Sequence, residues 1–245
     1  MNSNFGEELS KNVVFVLQFL EIVILMFVAA YIMEKAAQKK NGSQDRILST
    51  RKMAMVGMFS AIAAILHIMD FSLPFIAPPF YKLDFSELPA LIGAFAFGPA
   101  AGVMIEFLKI VLKLLMKGTS TAFVGDLANF VIGCSFILPA SVVYDFHKKK
   151  ETAVIACIIG TVVLTVVGTT FNAVYLLPAF STLYGMPLDD IIAMGHKING
   201  AIHDITSFVV IAVAPLNLVK GGIVSLITLM IYKKISPIIK EGRQR

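Results

Sequence analysis

Pro215-Leu216-Asn217-Leu218-Val219-Lys220-Gly221-Gly222 places an amide and an ammonium inside an apolar run that continues through Ile231. A lysine at the centre of a membrane helix costs at least ~2.5 kcal/mol, so it is expected to face a cavity or a partner rather than lipid. Asn217 and Lys220 stand three apart, which sets them on one helical face. A polar pair aimed into a protein interior predicts a ligand there.

The rest of the chain agrees with a membrane setting. Of its 245 residues, 57% are hydrophobic and only 15% charged, with a mean hydropathy of +0.81. A soluble domain carries about 25% charge. The net charge of +5 is not a nucleic-acid footprint, because the arginines and most lysines lie between or after apolar runs, as topology signals do. Cys134 and Cys157 fall inside apolar segments without CxxC spacing and read as buried thiols.

A hydrocarbon core of about 30 Å takes roughly 20 helical residues. On that ruler, spans are expected at about 13–33, 53–70, 87–98, 100–117, 122–146, 152–177 and 215–233. The first is too long for a signal-peptide core and lacks a clear cleavage site. Gln18 and Glu21 interrupt it, so either one face packs on protein or Glu21 is protonated. The third ends at Phe97-Gly98-Pro99-Ala100, a tight turn that makes it a hairpin with the fourth. The fourth carries Glu106, Lys109, Lys113 and Lys117 and is expected to be shielded by neighbours or to lie partly at the surface.

Basic residues between 34 and 52, at 148–150 and after 233 all fall on one side of a seven-span chain. The positive-inside rule makes that side cytoplasmic, with the N-terminus outside. Two long outer connections remain. Residues 71–86 are too proline-rich for a helix. Residues 178–214 include an expected surface helix at 189–201 and an apolar run from Phe208. Pro215 either opens a new helix or kinks one that begins near 205.

These boundaries give depths. Asn172 precedes Pro178 by six residues, roughly 9 Å of helix. Asn217 and Lys220 lie within two turns of Pro215, and Asn129 sits about two turns into its span. Three helices thus present amides and a cation at similar depth, beneath two loops able to cover them. The structural readings stand beside this one. Asn129 and Asn172 could bond neighbouring helices, Lys220 could snorkel outward or pair with a carboxylate such as Glu106, and Asp84 and Glu87 could cap a helix start. His67, His147, His196 and His203 share no metal spacing and read as surface or packing residues. No GxSxG, HExxH or GxxxxGK[ST] motif occurs, so neither covalent chemistry nor ATP hydrolysis by a P-loop is expected. Ala54, Gly57, Ala61 and Ala64 form a small-residue stripe, suited to internal packing or to docking on another membrane subunit.

Leu83-Asp84-Phe85-Ser86-Glu87-Leu88-Pro89-Ala90-Leu91-Ile92-Gly93-Ala94-Phe95-Ala96-Phe97-Gly98-Pro99 resembles the second-helix region of the substrate-binding (S) components of energy-coupling-factor (ECF) vitamin transporters, the riboflavin-specific members above all. Gly125-Asp126-Leu127-Ala128-Asn129-Phe130, Asn172-Ala173-Val174-Tyr175-Leu176-Leu177-Pro178 and the Pro215 segment extend the likeness, which runs from about Met53 to Lys234. The resemblance implies an all-α integral membrane protein: a six-helix S-component bundle preceded by one extra N-terminal transmembrane helix. The corresponding divisions are the extra helix at 1–36, a basic cytoplasmic linker at 37–52, the substrate-binding membrane domain at 53–234 and a basic tail at 235–245.

It further implies capture of riboflavin at the outer surface of a prokaryotic cell membrane, with no catalysis and no cofactor. The implied partners are a transmembrane coupling subunit and two ATPase subunits, which alone use ATP. Asn172, Asn217 and Lys220 match positions that hydrogen-bond the flavin ring; Tyr81, Lys82, Leu83, Asp84 and Phe85 match the loop lining the site; Asn129 is a further candidate. The stripe at 54–64 resembles the face that docks on the coupling protein. A flavin also suits the residue chemistry. Asn offers a donor and an acceptor, Lys offers donors, and Phe80, Tyr81, Leu83 and Phe85 can supply apolar walls. The rival readings are an S component for thiamine, biotin or a pantothenate-like acid, and a secondary transporter coupled to ions through Lys220, Glu106 or Glu21.

Overall fold

The structure, a computed structural model, describes residues 13–42, 46–47, 49–119 and 121–241, with side chains described for residue 17 and from 19 to 232 within those ranges. Among them are eight helices, counting helices joined through a π turn as one. They are α1 (Val13–Asn41), α2 (Thr50–Ile68), α3 (Glu87–Phe97), α4 (Pro99–Lys117), α5 (Val124–Phe146), α6 (Lys150–Tyr184), α7 (Leu188–His196) and α8 (205–241). Four of these, α2, α5, α6 and the Ile205–Tyr232 part of α8, are long and apolar enough to cross a membrane.

Their surfaces fit that solvent. Ile158, Val162 and Val166 form an exposed row on α6, and Leu218, Leu226 and Met230 do the same on α8. Such apolar rows at helical spacing are a liability in water and an ordinary face in lipid. The charged residues Glu106 and Lys109 of α4 are instead fully buried, while Leu115, Met116 and Lys117 are exposed, so this helix is shielded by its neighbours over its middle and reaches the surface at its C-terminal end.

Several boundaries differ from the sequence expectation. Helix α1 runs on to Asn41 and α2 starts at Thr50, so the 37–52 linker is helical at both ends. The last helix runs to Glu241, well into the expected 235–245 tail, whose residues 242–245 lie outside the described residues. The surface helix is shorter than 189–201, because Asn199, Gly200 and Ala201 turn away from it. Gln18's side chain lies outside the described residues, and Glu21 is exposed.

Helices α3 and α4 form the expected hairpin. Gly98 adopts φ +103°, a conformation side chains resist, and Pro99 begins α4 with the fixed φ a first turn wants. Helix α1 closes this turn. The Glu34 carboxylate accepts a hydrogen bond from the Ala100 N–H at 3.0 Å, one of the orphan donors of α4, and pairs with Lys52 at 3.1 Å. Further along, Phe19 meets Phe130 edge-on at 5.7 Å, and Asn41 donates to the Asp145 carbonyl at 2.8 Å. Helix α1 is therefore seated against α4 and α5.

The end of the bundle carrying this turn is solid. Phe95 and Tyr144 stack at 4.5 Å, Tyr232 packs edge-on against both, and the Tyr232 hydroxyl donates to the Phe95 carbonyl. The opposite end is hollow. There the proline-rich connection folds as a small antiparallel hairpin, β1 (Phe71–Ser72) against β2 (Lys82–Leu83), over the helix ends.

Candidate functional site

Two π turns shape the hollow end. One spans Asn172–Leu176 in α6 and the other Val209–Val213 in α8. Each ends two residues before a proline, Pro178 and Pro215. A proline lacks the N–H that would bond residue i−4 and crowds that residue's carbonyl. Those carbonyls belong to Val174 and Ile211, inside the widened turns, so each proline is accommodated without breaking its helix. This resolves the alternative at Pro215 in favour of one helix from Ile205. π turns recur at functional sites because they re-aim the side chains beyond them.

Between these turns, the hairpin and α5 lies a cavity of about 410 Å³, within the range of small-molecule sites. Eight of the nine candidate substrate-site residues line it: Tyr81, Lys82, Leu83, Asp84, Asn129, Asn172, Asn217 and Lys220. Phe85 does not. Its ring turns to the hairpin and packs on Phe71 at 5.8 Å, because Asp84 and Ser86 on either side are drawn into buried polar contacts. Phe80, Phe180, Leu176 and Leu216 supply the apolar walls instead, with Phe80 edge-on to Phe180 at 6.2 Å.

The amides differ in what they have left to offer. Asn172 accepts a hydrogen bond from the Tyr81 hydroxyl at 2.8 Å and donates to the Gly168 carbonyl at 2.7 Å. Burial pushes the Tyr81 phenol upward, so it stays a donor. Asn129 donates to its own helix at Gly125. Asn217 is 7% exposed, yet its Nδ2 has no hydrogen-bond partner among the described residues. A buried donor left unpaired is destabilising by about 1–3 kcal/mol, so it marks a place where an acceptor is wanted.

Lys220 pairs with carboxylates, as one of its structural readings had it, but not with Glu106. Its ammonium lies 3.4 Å from Asp84 and within 3.0 Å of both oxygens of Glu87. Glu106 pairs with Lys109 at 2.6 Å, one turn along the same helix, and Lys109 also reaches Glu87 at 3.1 Å and Ser86 at 2.8 Å. A pairing one turn apart needs no other element to arrive, which is why it takes Glu106 first. His67, read from sequence as surface or packing, lies 3.3 Å from Asp84 and lines the cavity. Burial opposes the Asp84 charge, but the Lys220 ammonium and then the His67 hydrogen bond hold its carboxyl well below the usual carboxylate range. Asp84 also accepts from the Ser86 N–H at 2.8 Å, so it both shapes the entry to α3 and ties the hairpin to α8. Lys82 pairs with Asp70, and Lys113 with Asp126, around the mouth.

Sequence reasoning missed Phe180, His67, Asp126 and Lys113 as lining residues. Only Lys113 and Lys117, four apart on an apolar helix, gave a readable signal there. On α2, Ala54, Gly57 and Ala61 are exposed, whereas Ala64 is buried.

This chain is 30% identical over 204 residues to "Riboflavin transporter RibU" of Staphylococcus aureus (strain TCH60), an alignment covering 83% of this chain and 97% of that protein. It is 29% identical over 199 residues to "Riboflavin transporter FmnP" of Bacillus subtilis (strain 168), covering 80% and 97%. A solved structure described as the S component of a bacterial ECF transporter superposes with a TM-score of 0.60 at 31% identity, covering 78% of this chain and 98% of that one. The model of the family "ECF transporter, substrate-specific component" matches residues 51–232. Helix α1 lies outside that match, while every candidate site residue lies within it, and the chain belongs to the family of ECF transporter substrate-specific components.

Proposed function

We propose that the chain captures riboflavin in the cavity between the hairpin, α5, α6 and α8, and delivers it to an importer without chemistry or a cofactor of its own. The observation that carries this is the Asn217 amide, buried and unpartnered beneath aromatic walls. Isoalloxazine is a flat aromatic body edged with carbonyls and ring nitrogens, which meets both demands. The names of the relatives point the same way. Asn172, with its donor and acceptor already arranged by Gly168 and Tyr81, is the second amide for the ring edge. Lys220 acts first as the tie that holds Asp84 and Glu87 and second as a cavity wall.

The distribution of basic segments supports an orientation with the solid end in the cytoplasm, the cavity at the outer face of a prokaryotic cell membrane and the N-terminus outside. The exposed face of Ala54, Gly57 and Ala61 suits close approach by a helix of the coupling subunit. Two ATPase subunits then supply the energy. The ion-coupled alternative is weakened, since Lys220 and Glu106 are both held in ion pairs.

A visible absorption spectrum of the detergent-purified protein, followed by fluorescence titration with riboflavin, tests the reading. Flavin bands in the purified protein and quenching with a dissociation constant of roughly nanomolar order are expected. A colourless protein that leaves riboflavin fluorescence unchanged would transfer the site to another vitamin.

A further inference from the structure

We propose that Gly168 is a positioning residue that sets both amides of the site, an inference that rests on the riboflavin reading above. Gly168 is buried in α6, one turn before Asn172. Its carbonyl accepts the Asn172 amide at 2.7 Å. Its missing side chain leaves the space occupied by Asn217, since a Cβ built there would lie 2.6 Å from the Asn217 Nδ2 and 3.2 Å from its Cγ. Atoms that close cannot coexist, and Ile132 of α5, 3.5 Å from the same point, limits retreat to that side. The Asn217 amide would have to swing into the cavity, into the volume a ligand needs.

Glycine within a helix is less favourable than alanine. That penalty at 168 is offset by what the bare Cα allows. Ordinary helix packing explains other glycines of the bundle: a Cβ at Gly160 would meet the Phe136 carbonyl and Ala140, and one at Gly221 would meet Leu164 and Thr161. Among the described glycines, Gly168 is the one whose missing Cβ faces an amide lining the cavity on another helix. One residue therefore fixes Asn172 through its carbonyl and Asn217 through its empty side, so that the two amides present to the cavity at a fixed spacing.

The test is a double-mutant cycle read by riboflavin fluorescence titration on Gly168→Ala, Asn217→Ala and the double variant. Asn217→Ala is expected to weaken binding by about tenfold or more, and Gly168→Ala by roughly tenfold in the natural background and about twofold or less in the Asn217→Ala background. Wild-type affinity in Gly168→Ala, with Asn217→Ala weakened, overturns the role of Gly168 and leaves the riboflavin reading standing. An equal loss from Gly168→Ala in both backgrounds also overturns it, assigning the glycine to packing alone. Wild-type affinity in Asn217→Ala removes the amide from the site, and this proposal with it. If Gly168→Ala alone yields no folded protein, recovery of a folded double variant supports the clash with Asn217, and failure of the double overturns it.

Discussion

The solid and hollow ends of the bundle are built from the same long helices, packed to opposite effect. At the solid end Phe95, Tyr144 and Tyr232 interlock, and the two tyrosine hydroxyls are used within the cluster. At the hollow end α6 and α8 each pass through a π turn before a proline, an amide goes unpaired, and the gap between helices is spanned by a charged hairpin. Interiors are ordinarily close-packed and their polar groups paired. At the hollow end the two departures occur together around one cavity, which is where a ligand could repay them. The solid end holds the helices in place meanwhile.

The largest effect expected is from removing Lys220. Lys220→Ala leaves Asp84 and Glu87 buried with Lys109 and His67 as their remaining partners. Breaking a buried ion pair by deleting one partner destabilises by about 3–5 kcal/mol. The loss should concentrate at the hollow end, because Lys220 is what joins the hairpin to α8. Hydrogen exchange is expected to show residues 71–86 losing protection while the peptides around Phe95 and Tyr144 keep theirs. Equal deprotection of both ends would break the comparison and make the bundle a single cooperative unit.

A smaller effect is expected at the solid end from Glu34→Ala. The carboxylate caps an orphan N–H of α4 from another helix, and replacing a capping side chain by alanine destabilises by about 0.5–2 kcal/mol. Lys52, which is partly exposed, can rehydrate when its partner goes. Limited proteolysis between α1 and α2 should accelerate, while riboflavin affinity stays within about twofold of the natural protein, since the changed group touches nothing at the hollow end. A marked loss of affinity would mean that α1 supports the pocket and that the two ends are coupled.

What could be read in the sequence divides along the same line. Local features were legible: the Gly98-Pro99 turn, the apolar spans, and the amides at common depth. The partner choices were not. Tyr81 reaches Asn172 across 91 residues and Lys220 reaches Asp84 across 136, separations at which periodicity carries no information. That Lys220 meets a carboxylate is readable from its setting in an apolar helix, but which one is not, and Glu106 is taken by Lys109 one turn along its own helix. Pro178 and Pro215 were visible, but a proline signals a helix end, a kink or a π turn equally, and tertiary packing chooses among them. Gly168 gave no signal, because one glycine in an apolar helix looks like any other packing contact.

The smallest effect expected is the response of the hollow end to mild acid. A carboxyl whose folded-state pKa is depressed stabilises the fold above its unfolded value and loses that contribution as pH falls through the folded value. The unfolded value for Asp is about 3.9, and Lys220 and His67 hold Asp84 well below the usual range. Its attachment of the hairpin should therefore persist from pH 8 to 5 and give way only on acidification below about pH 3.9. Protease resistance of residues 71–86 measured across this range is the check. A loss between pH 7 and 5 would mean that a group titrating in that interval, rather than an Asp84 carboxylate anchored by Lys220, holds the hairpin at the hollow end.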